Sequence, residues 1–390
     1  MFAAKTITEK GKFSLETGRQ MGRRLVDALG ARPGAVWLFA SPGRGLRELL
    51  SGIADTVETE NIVGCTTDGE ISCDGFGTGS AVLGGIATDR IAFHVASADG
   101  LGNDSEAAGK KLAESLPGSV RYVQAFSDGL TGNGCGLLRG IMSQFGENIP
   151  ICGGAAADGI RFKQTWQFRG RDILTDSVVG VGFSGDIKVG TGVQSGWSPI
   201  GIAKKVTRAR KHILYELDGR PALEVYTRFF GKHAENLPMV GIEYPLGLVD
   251  CSGALEDPNY NVVLRASVSI DETDGSIRFA GEIPEGTMVR LTCGDLKCTL
   301  EASGRAARMA LSDLGNCRPA IVFFFSCMAR RIVLGRRIEE EVERVRLETG
   351  PETPILGFYS YGEFCPAKRG SPSLLHNETA TVSVLGFERP

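Results

Sequence analysis

Short apolar runs alternate along the chain with longer stretches whose apolar residues have helical spacing. The run Ala35–Ala40 predicts a buried strand, residues 62–63 predict a second short strand, and residues 80–87 predict a third. Between the first two strands the apolar positions recur every three or four residues. This spacing predicts a helix whose buried face carries Leu46, Leu49, Leu50, Ile53 and Val57.

The same order of elements recurs in two later segments. The second has strands at 120–126, 150–152 and 177–183, with a helix at 135–145. The third has strands at 320–325, 354–356 and 379–385, with a helix at 335–347. Because a β-α-β crossover makes its two strands parallel, each segment predicts a β-α-β-β unit in a small mixed sheet.

A glycine spacing accompanies the recurrence. Each segment carries G-x-x-x-x-G after its second strand, at Gly64/Gly69, Gly154/Gly159 and Gly357/Gly362. One match would be weak, since the chain has 53 glycines. Three matches in the same context predict a unit that recurs threefold.

The region between the second and third segments has a different pattern. Residues 186–195 and 262–290 alternate apolar and polar positions, which predicts antiparallel hairpins. A helix is expected within Leu214–Phe230, with Leu214 and Leu217 among its apolar positions, a start signal at residues 218–221 and an end near Gly231. We therefore predict an α/β fold of two modules, each with mixed β-sheets flanked by helices. Residues 1–30 are an N-terminal extension, 31–231 the first module and 232–388 the second.

The predicted topology places a site at one sheet edge. In open α/β sheets, ligands bind beyond the carboxyl ends of the parallel strands. Those ends are Ser41, Ser127 and Ser326 on the first strands and the glycine-flanked turns on the second. We expect these positions to lie side by side and to form a pocket.

Composition and charge narrow the function classes. A net charge of −3 gives no electrostatic reason to expect nucleic acid or an anionic membrane as a partner. The N-terminus lacks an apolar signal-peptide region, and the longest apolar run is far shorter than a membrane helix. The ten cysteines include no C-x-x-C pair, which argues against structural zinc. These features predict a cytoplasmic protein with reduced thiols.

Several motifs resemble those of FIST domains. Residues 64–71, which read Gly-Cys-Thr-Thr-Asp-Gly-Glu-Ile, look like that family's early element, and residues 217–223 look like the end of its N-terminal module. Residues 325–335, 361–363 and 376–379 look like its C-terminal module. The resemblance covers about residues 30 to 388, in the family's order.

The resemblance implies small-molecule sensing in signal transduction. Some similar stand-alone bacterial proteins bind haem, detect nitric oxide and regulate a partner histidine kinase in a two-component system. The chain contains no recognisable kinase or cyclase segment, so a signal would pass to another protein. Haem b is accordingly the candidate cofactor, and a histidine kinase is the candidate partner.

Two kinds of residue could hold such a ligand. A haem iron needs an axial ligand such as histidine, for which His376 is the first choice and His212 the second. A hydrogen bond from His376 to backbone is the alternative role. Cys327, flanked by Arg330 and Arg331, could be a thiolate ligand or nucleophile. The alternative role for Cys327 is that of a small buried residue. Arg330 could hold a carboxylate or a haem propionate, and its alternative role is that of an ordinary surface charge.

Acidic residues recur at or beside the turns, namely Asp68, Glu70, Asp158 and Glu363. They could bind an amine or cap backbone amides. Asp128 opens a glycine-rich loop that leads into a helix and could cradle an anion. The complete predicted ligand-binding set is Cys65, Asp68, Ser127, Asp128, Asp158, Ser326, Cys327, Arg330, Tyr361, Glu363 and His376.

The favoured hypothesis is therefore a sensor that is not an enzyme. One alternative is a sensor for an amino acid or another small metabolite, without haem. Another is a hydrolase or acyltransferase built on Cys327, His376 and Glu363, and a third is an adaptor without a small ligand. G-x-S-x-G and H-E-x-x-H are absent from the sequence, and the G-x-G-x-x-G at 180–185 precedes a strand pattern instead of the helix a dinucleotide site needs.

Overall fold

A computed structural model describes residues 2–249 and 262–388. The predicted class is confirmed, because several mixed sheets are flanked by helices. The predicted extension and second module include Met1 and residues 250–261, which lie outside the described residues. The α-helices are α1 (Leu15–Leu29), α2 (Leu46–Ala54), α3 (Ser105–Glu114), α4 (Gly134–Phe145), α5 (Ala222–Phe230), α6 (Val240–Glu243), α7 (Leu296–Leu314), α8 (Met328–Leu334) and α9 (Ile338–Thr349).

Three of the sheets have six strands each. Sheet I runs β1 (Phe2–Lys10), β6 (Ser80–Thr88), β2 (Ala35–Ala40), β3 (Ile62–Thr66), β10 (Gln167–Arg169), β11 (Asp172–Leu174). Sheet II runs β26 (Ser373–His376), β25 (Glu363–Pro366), β9 (Ile151–Ala155), β8 (Tyr122–Ser127), β12 (Ser177–Gly185), β7 (Ile91–Asp99). Sheet III runs β13 (Lys188–Gln194), β27 (Ala380–Phe387), β23 (Arg318–Cys327), β24 (Ile355–Ser360), β4 (Glu70–Ser72), β5 (Gly75–Gly77).

One pairing scheme occurs in all three sheets. A central strand pairs in parallel with the strand that follows its helix and antiparallel with a later strand. The central strands are β2, β8 and β23. That the three segments are copies of a single unit stays a prediction.

The three sheets exchange strands. The chain bends after the second strand of each segment, that is after β3, β9 and β24. After its bend, the first segment continues into β4, which pairs with β24 of sheet III. The second sends β10 to pair with β3 of sheet I, and the third sends β25 to pair with β9 of sheet II. Each bend therefore crosses from one sheet to the next, and the exchange holds the three strand ends together.

A single aromatic core fills the space between the sheets. Along β2 the side chains alternate, so Trp37 and Phe39 face this core while Val36 and Leu38 pack under the helices of sheet I. The Phe39 ring lies 5.3 Å from that of Phe126 and 4.7 Å from that of Phe358, measured between centroids. Aromatic side chains from all three sheets thus meet at the centre.

The strand that leads into each bend carries a glycine where the neighbouring parallel strand comes too close for a side chain. A Cβ atom on Gly64, Gly153 or Gly357 would lie within 2.0 Å of a carbonyl oxygen on the neighbouring parallel strand. The equivalent position in the second segment is thus Gly153. The predicted alignment, which placed Gly154 there, is wrong by one residue, because it is Gly153 that lies against the Ala125 carbonyl of the neighbouring strand.

The fourth sheet is antiparallel and is called the hairpin sheet. Its strands run β19 (Val263–Arg265), β18 (Leu246–Leu248), β22 (Met288–Gly294), β15 (Lys204–Arg210), β16 (Ile213–Leu217), β21 (Ser276–Phe279), β20 (Ser267–Asp271), with β14 (Trp197–Pro199) on β22 and β17 (Arg220–Pro221) on β16. Helix α5 packs on it and begins after Pro221, as the start signal predicted. Leu214 and Leu217, which were predicted on the same helix, lie instead on β16, because they pair with neighbouring strands of the hairpin sheet. Residues 188–194, predicted as part of a hairpin, instead pair with β27 in sheet III.

None of the helices in residues 2–249 and 262–388 combines the length and the apolar composition needed to cross a bilayer.

Candidate functional site

The three bends lie side by side and are joined by backbone hydrogen bonds. The amide of Asp68 donates to the Tyr359 carbonyl at 2.9 Å, and the amide of Ala157 donates to the Thr66 carbonyl at 2.9 Å. The amide of Tyr361 completes the circuit by donating to Ala155 at 3.1 Å. We call this meeting point of residues 66–68, 155–158 and 359–361, together with residues 327–329 against which Tyr361 packs, the strand-edge rim.

Asp68 is buried at the rim and is only half satisfied. Its Oδ1 accepts from Arg331 Nη1 at 2.7 Å, while its Oδ2 is buried without a hydrogen-bond partner. Burial raises the pKa of Asp68 to about 6, although the Arg331 charge opposes the shift. The carboxyl group therefore titrates close to neutral pH.

Asp158 organises the loop that follows the second bend. Its two oxygens accept from the backbone amides of residues 161–164, at 2.7 to 3.1 Å, and Oδ1 also accepts from the Tyr361 hydroxyl at 2.6 Å. Burial raises the pKa of Asp158, but the Tyr361 and backbone hydrogen bonds outweigh it and leave the pKa below its ordinary value. The Tyr361 ring stacks on the half-exposed Phe162 at 4.9 Å. Asp158 and Tyr361 therefore both stabilise the structure of the rim.

Cys327 is buried at the rim in a small cluster with Met328 and Ala329, and Tyr361 packs against this cluster. Burial and then the charges of Glu363 and Glu378 raise the pKa of its thiol well above the ordinary value. A thiol in this environment stays protonated at neutral pH.

Glu363 and Glu378 are both fully buried behind Cys327. Glu363 accepts from Ser360 at 2.5 Å and from the Thr379 hydroxyl at 2.9 Å, and burial raises its pKa to about 8. Glu378 has neither carboxylate oxygen hydrogen-bonded and has a left-handed φ of 58°. Burial, then the Glu363 charge, raises its pKa well above the ordinary value. Glu378 was not among the predicted site residues, since alternation and spacing carry no signal for a buried acid.

Glu70 plays the same part in the first segment that Glu363 plays in the third. It accepts from Ser41 at 2.8 Å and Thr67 at 2.5 Å, and from Ser80 at the start of β6. Burial raises the pKa of Glu70 to about 7, against those hydrogen bonds. Each acid ties its bend to the closing strand.

His376 is fully buried on β26. Its Nε2 lies 3.0 Å from the Cys365 carbonyl oxygen, and its Nδ1 has no hydrogen-bond partner. Burial lowers the pKa of His376 to about 4, so the ring is neutral. The contact matches the backbone-bonding role that the sequence left open for this histidine.

The remaining predicted residues lie away from the rim surface. Arg330 and Ser326 both bind the buried carboxylate of Glu341. Cys65 belongs to the aromatic core, where burial raises its thiol pKa well above the ordinary value. Ser127 donates to the Asp128 carbonyl at 3.2 Å. Asp128 accepts from the amides of Leu130, Thr131 and Asp176 at 2.8 to 3.1 Å, so it caps its own loop.

In the described part of the chain, no group of three or more His, Cys, Asp or Glu side chains could hold a metal ion. The rim residues Asp68, Asp158, Cys327 and Tyr361, and the buried Glu378 behind them, also line none of the three best-defined cavities of that part.

The largest of those three cavities lies in the hairpin sheet, at a position that the sequence analysis missed. It measures about 670 Å³ and opens between α5 and strands β16, β18 and β22. Its apolar wall consists of Ile200, Ile202, Leu217, Val225, Phe229, Leu246, Val289 and Leu291. Polar side chains border the same space, namely Lys204, Asp218, Arg220, Glu224, Tyr226, Arg228 and Arg290. We call this space the α5 cavity.

The fold and these two sites define a mixed α/β protein with a polar strand-edge rim and a separate concave cavity. The chain belongs to the FIST family, because the FIST N domain matches residues 34–220 and the FIST C domain matches residues 222–366. The predicted family is thereby confirmed. FIST domains are associated with small-ligand sensing in signalling.

Similar curated proteins are themselves uncharacterized. One from Methanocaldococcus jannaschii is 23% identical over 92% of this chain and 74% of its own length. One from Mycobacterium tuberculosis strain H37Rv is 26% identical over 60% of each chain. Among solved structures, phosphoribosylformylglycinamidine synthase II from Thermotoga maritima aligns with 99% of this chain and 72% of its own, at 11% identity and a TM-score of 0.23. A likeness this weak carries no argument about fold or function.

Proposed function

We propose that the protein is a cytoplasmic sensor that binds a small molecule in the α5 cavity and regulates a partner signalling protein such as a histidine kinase. The observation that carries the proposal is the cavity itself. Its volume of about 670 Å³ lies within the range of roughly 300–1,000 Å³ found for small-molecule sites, and its apolar wall with a few polar side chains is typical of them.

A continuous segment joins the cavity to the rim, which supports a sensing role. Helix α5 lines the cavity and continues through a 3-10 helix at Gly231–Asn236 to α6. Ile242 on α6 packs against the cluster of Cys327, Met328 and Ala329 at the rim. A ligand that shifts α5 would therefore move a side chain that contacts the rim.

The described residues do not fit the haem version of this proposal. His376 is fully buried, its Nε2 is engaged by a carbonyl oxygen, and it lines none of the three best-defined cavities. The second choice, His212, lies outside the α5 cavity, which is lined by no histidine, cysteine or methionine. We therefore favour a metabolite sensor without haem, and titration with haem should give no ligated Soret band.

The thiol-enzyme alternative receives little support from the rim. Its nucleophile would be Cys327, whose pKa is raised by burial and by two neighbouring acids. Its proposed base, His376, is directed at the Cys365 carbonyl. A protein without catalytic activity remains our proposal.

The test is whether a small molecule occupies the α5 cavity. Purified protein should be denatured, and the released small molecules identified by mass spectrometry, in the wild type and in Val225→Trp. The larger side chain fills the cavity, so we expect any molecule that copurifies with the wild type to be lost. Val268→Trp is the matched control, because Val268 is 52% exposed on β20 of the same sheet and does not line the cavity.

Thermal unfolding in the presence of a metabolite library covers a ligand that is lost on purification. Saturation at about 100 times the dissociation constant stabilises a protein by about 2.7 kcal/mol, which is an easily measured shift in Tm. The shift should vanish in Val225→Trp and persist in Val268→Trp. If no compound stabilises the wild type and nothing copurifies, or if Val225→Trp retains the ligand, the proposal is wrong.

A further inference from the structure

The charges around the α5 cavity are unbalanced. Two of its four cations are matched by acids of the same lining: Lys204 lies 3.0 Å from Asp218, and Arg220 lies 4.0 Å from Glu224. Arg228 and Arg290 form no ion pair with any described residue. The described lining thus carries two positive charges without a negative partner.

Arg290 is held in place but is not saturated. Its Nη2 donates to the Gly201 carbonyl oxygen at 2.7 Å, which fixes the guanidinium beside the cavity. Its Nε is buried and has no hydrogen-bond partner. A buried donor without an acceptor destabilises the protein, so an acceptor supplied from outside the chain would relieve that cost.

Tyr226 offers a second unsatisfied donor. The side chain is 1% exposed, it lines the same cavity, and its hydroxyl has no hydrogen-bond partner. Burial raises the pKa of this phenol above its ordinary value, so the group stays protonated and can donate. Tyr226 and Arg290 thus each carry a buried donor without a partner, and both residues belong to the lining of the α5 cavity.

We propose that the α5 cavity binds an organic anion, with an apolar or aromatic body against α5 and β22 and an anionic head group near Arg290 and Tyr226. The inference rests on the proposed function and adds the chemical class of the ligand. Arg228, at the same cavity, contributes positive charge to the site. A neutral apolar molecule would fill the wall but leave both donors unsatisfied.

A matched pair of fluorescent probes tests the charge. 8-Anilinonaphthalene-1-sulfonate is anionic, and N-phenyl-1-naphthylamine has the same aromatic body without the sulfonate. Fluorescence titration of the full chain should give tighter binding of the anionic probe, by about tenfold or more, as expected for a hydrogen bond to a charged group. Val225→Trp should abolish the binding of both probes.

Single variants then assign the head-group contacts. Arg290→Met and Tyr226→Phe should each weaken the anionic probe by about tenfold while leaving the neutral probe unchanged. Arg278→Met on β21 removes a positive charge from the same sheet outside the cavity lining and should leave both probes unchanged. Circular dichroism and thermal unfolding of each variant establish that it is folded.

The outcomes separate the two levels of the proposal. Equal affinity for the two probes, both lost in Val225→Trp, would overturn the anionic ligand and leave the small-molecule cavity standing. Binding that is insensitive to Val225→Trp, or no binding at all, would count against the cavity as a ligand site for either probe. An effect of Arg278→Met as large as that of Arg290→Met would also overturn the inference, since general electrostatics would then explain the preference.

Discussion

Arg330 donates to Glu341 from both Nε and Nη2, at 2.8 and 2.6 Å, with both side chains fully buried. The guanidinium also donates to the Thr299 carbonyl and to Ser303, and the carboxylate accepts further bonds from Ser303, Ser326 and Tyr359. The network joins β23 and β24 to α7 and α9. Arg330 therefore has internal partners where the sequence suggested a ligand or a surface charge.

Arg330→Ala should destabilise the fold by about 3–5 kcal/mol, because it leaves the Glu341 carboxylate buried without its cation. Urea unfolding measures the change. Arg337→Ala is the matched control, since its ion pair with Glu340 is exposed and screened by solvent, so its loss should change stability little. A loss equal to that of the control would mean that Arg330 is not needed to compensate Glu341.

The buried acids at the bends predict a pH dependence of stability. The folded-state pKa of Glu363 is raised from 4.5 to about 8, so the folded protein binds this proton more tightly than the unfolded chain. That contribution to stability is complete below about pH 4.5 and is lost as the pH rises through about 8.

Glu363→Gln cannot ionise, so it should not lose this contribution as the pH rises. On going from pH 6 to pH 9, the free energy of unfolding of the wild type should fall by roughly 1–3 kcal/mol more than that of the variant. Urea titrations at both pH values provide the comparison, with the exposed Glu352→Gln as the control. Parallel pH profiles for wild type and Glu363→Gln would contradict the raised pKa.

Much of the fold could be predicted from the sequence, because the central strands are continuous apolar runs with few alternatives. Ala35–Ala40 is a strand over the predicted bounds, and α5 begins after Pro221 as expected. The strand exchange between sheets could not be predicted. It depends on which sheet β4, β10 and β25 join, and each is only three or four residues long, too short for its pattern to specify a partner.

The site was harder to predict than the fold. Grouping by strand ends led to Asp68, Cys327 and Tyr361, which do lie at the rim. It could not distinguish them from Arg330, which lies three residues after Cys327 in sequence but turns into the interior. The α5 cavity was missed because its lining comes from separate short strands and one helix, and no motif describes a concave surface of that kind.

Cys327 should react slowly with alkylating agents, because its thiol is buried and its pKa is raised. With iodoacetamide at pH 7.5, we expect labelling of Cys327 to be at least about a hundredfold slower than labelling of the exposed Cys73. Peptide mass spectrometry over time gives both rates in one sample, and unfolding in urea should make them similar. Rapid labelling of Cys327 in the folded protein would favour the enzyme alternative.

Alanine substitutions at Gly153 and Gly154 distinguish the alignment that the G-x-x-x-x-G spacing indicated from the alignment observed in the fold. A Cβ on Gly153, which has a φ of 135°, would lie 2.0 Å from the Ala125 carbonyl oxygen, whereas a Cβ on Gly154 has its nearest neighbours at 3.1 Å. The neighbours of Gly154, the Gly362 carbonyl oxygen and the Ser360 side chain, need to move by only a few tenths of an ångström, whereas the Ala125 carbonyl would have to move much further. Gly153→Ala should therefore cost more than about 2 kcal/mol of unfolding free energy, and Gly154→Ala clearly less.

Gly118→Ala sets the baseline for this comparison, because nothing lies within 4 Å of the added atom. Gly64→Ala and Gly357→Ala should resemble Gly153→Ala, since their Cβ atoms would meet carbonyl oxygens at 1.8 and 1.7 Å. Chemical denaturation of the five variants under one condition measures the whole series. A larger loss for Gly154→Ala than for Gly153→Ala would restore the register that the G-x-x-x-x-G spacing indicated, and would contradict the strand pairing of β8 with β9.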